Sequence, residues 1–324
     1  MKTYHQNGTV SEVEYVLDNE SAFAIQYGRS GEYDTIFYPG DNVIREIDSE
    51  LVRLYDRFVN LYFSDLSVYY QENEQLPIGL AQGGHDSNID ISKEQFLELA
   101  REYETKTPDI YRHIYVGDCQ YLVSTVQNLL QSAEYCFVQY YMQIAGVKFR
   151  HWRLGDHIAC MSNEAFNTTF FVETFFTKLA SILDLMVKII YEMENPVSSF
   201  PSLAKLKSSD KLWGARKQIN LYGLKDTIFE ECDLLNMVYS MRNEAVHNGT
   251  WEFRPKVFLA AADNVTVERY MLFPDFENGH LATAKNRRHF FSEGIKVNDV
   301  LVPIHNEFYQ RLLATLQYIN RVKT

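Results

Sequence analysis

Two stretches limit what this chain can fold into. "DIYRHIYVGDCQYLVSTVQNLLQSAEYCFVQYYMQIAG" and "SNEAFNTTFFVETFFTKLASILDLMVKIIYEME" repeat apolar residues every three or four positions and contain no proline. That spacing lines one face of a helix with apolar side chains, and helices of this length must cover that face against other helices. The first is expected to close at Gly146, and the other to run from Ser162 to about Glu194, where two prolines follow. The stretch from Ser162 is apolar enough to suggest a membrane span. Glu173, Lys178, Asp184 and Lys188 interrupt it, and each is costly at bilayer depth, so a buried bundle helix is the expectation and no membrane association.

The rest of the chain fits around that frame. The first 45 or so residues alternate as strands do and are punctuated by Asn, Gly and Pro, which predicts a small meander or hairpin pair. From about Asn42 the period lengthens, and "VIREIDSELVRLYDRFVNLYFSDLSVYYQ" reads as one helix. A Gly- and Asn-rich loop follows, ending where Ser92 and Gln95 form a capping box for the next helix. Beyond Pro201 the sequence predicts a short, broken helix over "SLAKLKSSDKLWGARKQINLYG" and a longer one over "KDTIFEECDLLNMVYSMRNEAVHNG". A strand pair turning at Asp263-Asn264 and a final helix complete it. The expected fold is mainly α: an antiparallel helical bundle with a small β-rich N-terminal segment and a short β-hairpin insertion before the last helix. The expected division is 1–45 as the β segment, 46–107 as a helical extension with a polar loop, and 108–324 as the bundle.

Charge bounds the partners. The chain has 324 residues and a net charge of −12, which argues against a general nucleic-acid binder. The acid is unevenly placed: residues 1–199 hold 14 Lys+Arg against 29 Asp+Glu, whereas residues 200–324 hold 17 against 14. A local anion site therefore belongs in the second part, while the acidic first part suits a protein partner. The four cysteines (Cys119, Cys136, Cys160, Cys232) form no CxxC pair and suit a reducing cytoplasm. The start, "MKTYHQNGTV", does not read as a secretory signal. His151, Asp156, His157 and Cys160 cluster in "RHWRLGDHIAC", but their spacing matches no familiar zinc pattern, so neither a metal nor another cofactor is expected.

The segment "SMRNEAVHNG" carries the most chemistry. On an ideal helix Asn243 lies about 40° from His247, with Ser240, Asn236 and Asp233 within the same stripe, whereas Arg242 falls about 140° away. Polar stripes usually face water, and a histidine in a last turn suits the helix dipole, so a structural role explains these residues cheaply. Yet Arg242-Asn243-Glu244-Ala245-Val246-His247 resembles the R-x(4–6)-H motif of the HEPN superfamily (higher eukaryotes and prokaryotes nucleotide-binding), in the form with a polar residue after the arginine. HEPN domains are bundles of long antiparallel helices with this motif near the end of a late helix. The resemblance covers roughly residues 110–324 as architecture and six residues as motif. It implies metal-independent RNA cleavage by dimers, with Arg242, Asn243 and His247 catalytic. The alternative it leaves is a non-catalytic HEPN-like module that binds RNA, a nucleotide or another protein.

The residue types suit RNA cleavage. An imidazole titrates near neutrality and can move the 2′-hydroxyl proton, and a guanidinium can grip a phosphate by two parallel bonds. Because Arg242 and His247 diverge on an ideal helix, either the helix end unwinds, or the arginine reaches around, or a second chain completes the site; the last predicts a symmetric homodimer. "KNRRHF" adds Lys285, Arg287 and Arg288 as candidate RNA-phosphate contacts. Another basic region surrounds Trp213, and the many tyrosines and phenylalanines fall mostly at core spacing.

Overall fold

The computed structural model describes residues 2–12, 24–30, 33–37, 41–107, 109–149, 158–262 and 265–322. The chain is mainly helical with small antiparallel sheets, and it divides into two compact units. One comprises Met1–Ile47, Leu129–Ser181 and Lys225–Ala314; the other comprises Asp48–Asn128, Ile182–Leu224 and Thr315–Thr324.

In the first unit, β1 (Lys2–His5), β2 (Val10–Glu12), β3 (Ala24–Ser30) and β4 (Tyr33–Phe37) form a sheet of order β2-β1-β3-β4, all neighbours antiparallel. Gly8 turns β1 into β2 at φ +72°, and a Cβ there would lie 2.2 Å from the Arg269 carbonyl. The Arg269 N–H donates to the Asn7 carbonyl at 2.9 Å, so this turn is stitched to a later strand. Buried Asn298 secures the same corner, donating to the Gln6 and Arg269 carbonyls while Tyr140 donates to its side-chain oxygen at 2.6 Å.

Two long helices supply the frame, as their periodicity requires. α5 (Ile110–Gly146) and α6 (Asn163–Glu194) keep the expected bounds, and α8 (Val297–Arg321) is the expected last helix. In the first unit they bury Phe137, Tyr141, Phe175, Phe176, Leu301 and Phe308, with Phe137 and Phe175 rings 5.9 Å apart. The strand pair β6 (Val257–Ala262) and β7 (Val265–Tyr270) is present, its Asp263-Asn264 turn lying outside the described residues. It is more than a hairpin: β5 (Ile158–Cys160) pairs with β6 to make three strands. A further hairpin, β8 (Phe276–Glu277) with β9 (His280–Leu281), was not expected.

In the second unit the helix expected from Asn42 onward breaks in two. α1 (Asp41–Tyr62) stops before Asp65, whose carboxylate accepts the Ser67 and Val68 N–H groups and starts α2 (Leu66–Glu74). Capping chemistry thus overrides a continuous apolar period. A short α3 (Ile78–Ala81) lies in the expected loop, and α4 (Lys93–Glu104) begins with the expected Ser92–Gln95 capping box. The helix expected over 202–223 is not there; turns and a 3-10 segment at Trp213–Gln218 replace it. The reason is that backbone donors go to side chains. Ser208 gives both its N–H and its hydroxyl to buried Glu192, and Trp213 N–H donates to Asp184. Among the described residues no helix is long and apolar enough to cross a membrane.

Candidate functional site

The motif helix begins later than its sequence suggests. α7 runs Asp233–Asn243, burying Leu235, Val238 and Met241 at helical spacing, and then passes into a π turn at Glu244–Asn248 before Gly249, at φ +92°, ends it. This turn changes the geometry of the motif. On an α-helix five residues sweep about 1.4 turns, whereas an i→i+5 turn closes in about one. His247 is therefore carried back over Arg242. The Arg242 Nη1 donates to Asn243 Oδ1 at 2.9 Å and lies 3.4 Å from His247 Nε2. The expected divergence of Arg242 and His247 is corrected: one chain brings all three residues together, so the geometric reason for a two-chain site falls away. Since a guanidinium only donates, Nε2 acts as the acceptor in that contact.

The polar stripe is also corrected in part. Asp233, Asn243 and His247 are exposed, but the β8–β9 hairpin packs on the stripe at Asn236 and Ser240. Ser240 Oγ accepts the Leu281 N–H at 3.2 Å, and a Cβ on Gly279 would lie 2.5 Å from the Asp233 carbonyl.

Glu244, inside the motif yet given no role by its sequence context, is the buried hub of the site. Its side chain is 5% exposed, and it accepts Asn248 Nδ2 at 2.8 Å, His289 Nε2 at 3.0 Å and Arg288 Nη1 at 3.5 Å. The carboxylate thus closes the π turn across Glu244–Asn248 and ties it to the basic loop. Of the expected phosphate contacts, Arg288 is drawn into this cluster, whereas Lys285 and Arg287 have exposed side chains on a tight turn closed by two Ala284–Arg287 backbone bonds. Asp275 holds the base of that excursion, accepting the Ser292 N–H and hydroxyl and the Glu293 N–H. Burial alone would raise its carboxyl, but these bonds outweigh it and lower the pKa.

Behind the turn sits Trp251, fully buried, its backbone N–H donating to Glu173 of α6 at 3.3 Å. Burial pushes the Glu173 carboxyl up, with the Thr250 hydroxyl and Trp251 N–H pulling it back. The Trp251 ring packs 6.2 Å from that of Phe273.

No family model, curated protein or solved structure matches the chain. Its chemistry is therefore read from its own residues. Among those described, no group of three or more His, Cys, Asp or Glu is placed to hold a metal ion. His151, Asp156 and His157 lie outside the described residues. His289 belongs to the basic cluster the sequence offers, but its place on Glu244 has no sequence signal, and neither does the burial of Glu244; the hairpin, also unexpected, had one in the Asn278-Gly279 pair that favours a tight turn.

Proposed function

We propose that this chain is a cytoplasmic, metal-independent endoribonuclease of the HEPN kind, with Arg242, Asn243 and His247 at its centre. The observation that carries the reading is the meeting of arginine and histidine, 3.4 Å apart, on a widened turn with His247 open to solvent. Once the phosphate draws Arg242 away from it, the His247 Nε2 lone pair takes the ribose 2′-hydroxyl proton, the 2′-oxygen attacks phosphorus, and the bond to the 5′-oxygen breaks to leave a 2′,3′-cyclic phosphate. The leaving oxygen takes its proton from the imidazolium so formed. Arg242 stabilises the charge that builds on the phosphate, Asn243 keeps the guanidinium in place, and Lys285 and Arg287 receive the neighbouring backbone. A homodimer, which the resemblance implies, would bring two complete trios to one cleft rather than assemble one trio from two chains.

The test is cleavage of a mixed-sequence RNA by the full chain in EDTA. Wild type is expected to cut, and His247→Ala to lower the rate by roughly 10²–10⁴-fold, the range of a lost general base. Intact RNA with wild type across several substrates overturns the reading. RNA that is bound but never cut points instead to a non-catalytic module.

A further inference from the structure

The second unit holds a cleft of about 630 Å³, open on one side and far from empty of chemistry. Leu76, Leu80, Phe96 and Leu203 give it an apolar floor. One wall is α5, where Gly117 occupies a helix interior that nearly every residue but proline would stabilise. A Cβ built on Gly117 meets nothing within 4 Å, so the missing side chain is open cleft. The size suits a single small molecule.

Its polar lining mixes donors such as Lys93 and Gln120 with two acceptors, Asp118 and His113. Asp118 spends Oδ1 on His85 Nε2 at 3.1 Å, and His85 is stacked on Tyr121 with ring centres 3.8 Å apart. The other Asp118 oxygen has no partner among the described residues. Burial pushes this carboxyl up and His85 pulls it only partly back. At the bottom lies His113, with a side chain 0% exposed. Its Nε2 donates to the Glu72 carboxylate at 3.0 Å, and its Nδ1 has no partner. Burial lowers the His113 pKa against the pull of Glu72, so the ring is neutral near pH 7 and Nδ1 is a lone pair. A carboxylate and a buried lone pair thus border one apolar slot.

We infer that this cleft binds a planar ring whose edge carries an N–H beside an NH2 group, the donor pair shared by guanine and arylamidines. The ring lies on the apolar floor beside Gly117, and the paired donors meet Asp118, one on its unpartnered oxygen and the other sharing Oδ1 with His85. Calorimetric titration of the full chain with guanosine, inosine and benzamidine tests this. Saturable 1:1 binding of guanosine is expected, with inosine, which lacks the NH2 group, at least about tenfold weaker. Binding of benzamidine with none of guanosine would identify the amidine as the source of the donor pair. Asp118→Asn should weaken whichever probe binds by about tenfold or more, and Gly117→Leu, which favours the helix and fills the slot, should abolish binding without lowering Tm. The inference is overturned if neither guanosine nor benzamidine saturates at millimolar concentration. It also fails if inosine matches guanosine, or if Asp118→Asn binds as wild type does. Should Gly117→Leu not fold, the Asp118→Asn titration decides alone.

Discussion

A single carboxylate carries much of the candidate site's geometry. Glu244 sits where a solvated residue would be expected on a polar helix end, yet it is buried and accepts three donors. Such a group holds its partners in place, and removing it leaves them without the acceptor around which they are arranged. Glu244→Ala is expected to destabilise the fold by about 2–4 kcal/mol and to reduce RNA cleavage with it, because the π turn loses its closing bond. Arg288→Ala should cost at most about 1 kcal/mol, since that guanidinium is half exposed and its contact is screened. Urea denaturation of the two variants checks the contrast, and equal losses would mean that the carboxylate is not the hub. Nothing in the sequence marks Glu244: a glutamate between an asparagine and an alanine reads as surface, and its burial comes from a loop more than forty residues away.

At the scale of elements, two glycines with positive φ do different work around the motif. Gly249 ends the π turn at φ +92° with open space where a Cβ would go. Gly279 turns the β8–β9 hairpin at φ +75°, and its Cβ would lie 2.5 Å from the Asp233 carbonyl and 2.7 Å from Asn236 Cβ. Gly249→Ala therefore bears only the backbone penalty, about 1–2 kcal/mol, whereas Gly279→Ala adds a collision with α7 and should cost about 3 kcal/mol or more. Chemical denaturation that ranks them the other way would show that the hairpin does not rest on the helix as described. The same elements show what sequence can and cannot reveal. α5, α6 and α8 were legible because long runs of one period leave a helix few alternatives, and the Ser92 cap because its two bonds are local. The π turn was not, since Glu244 ties it to distant Arg288 and His289, and a fixed 100° step carries no hint of it. The β8–β9 hairpin is too short to alternate, so only its Asn-Gly turn spoke for it.

For the whole molecule, the open question is how many chains make one site. Under the proposed function, the net charge of −12 lets RNA reach the motif only where local cations outweigh the general repulsion. Arg242, Lys285 and Arg287 lie within residues 200–324, whose balance is positive, and Arg288 lies 3.5 Å from the Glu244 carboxylate. An ideal helix makes Arg242 and His247 diverge and so asks for a second chain; the π turn removes that demand by closing the pair within one chain. The consequence can be measured. Wild type and His247→Ala are mixed at constant total concentration, left to exchange subunits, and assayed on RNA. If each chain's trio works alone, activity falls in proportion to the wild-type fraction, so a mixture of about one part in ten keeps about a tenth of the rate. If two copies must each supply His247 to one reaction, only wild-type pairs are active and the same mixture keeps about a hundredth. The one-chain geometry predicts the linear fall. A quadratic fall would mean that a second copy's imidazole takes part in proton transfer even though the arginine does not need it.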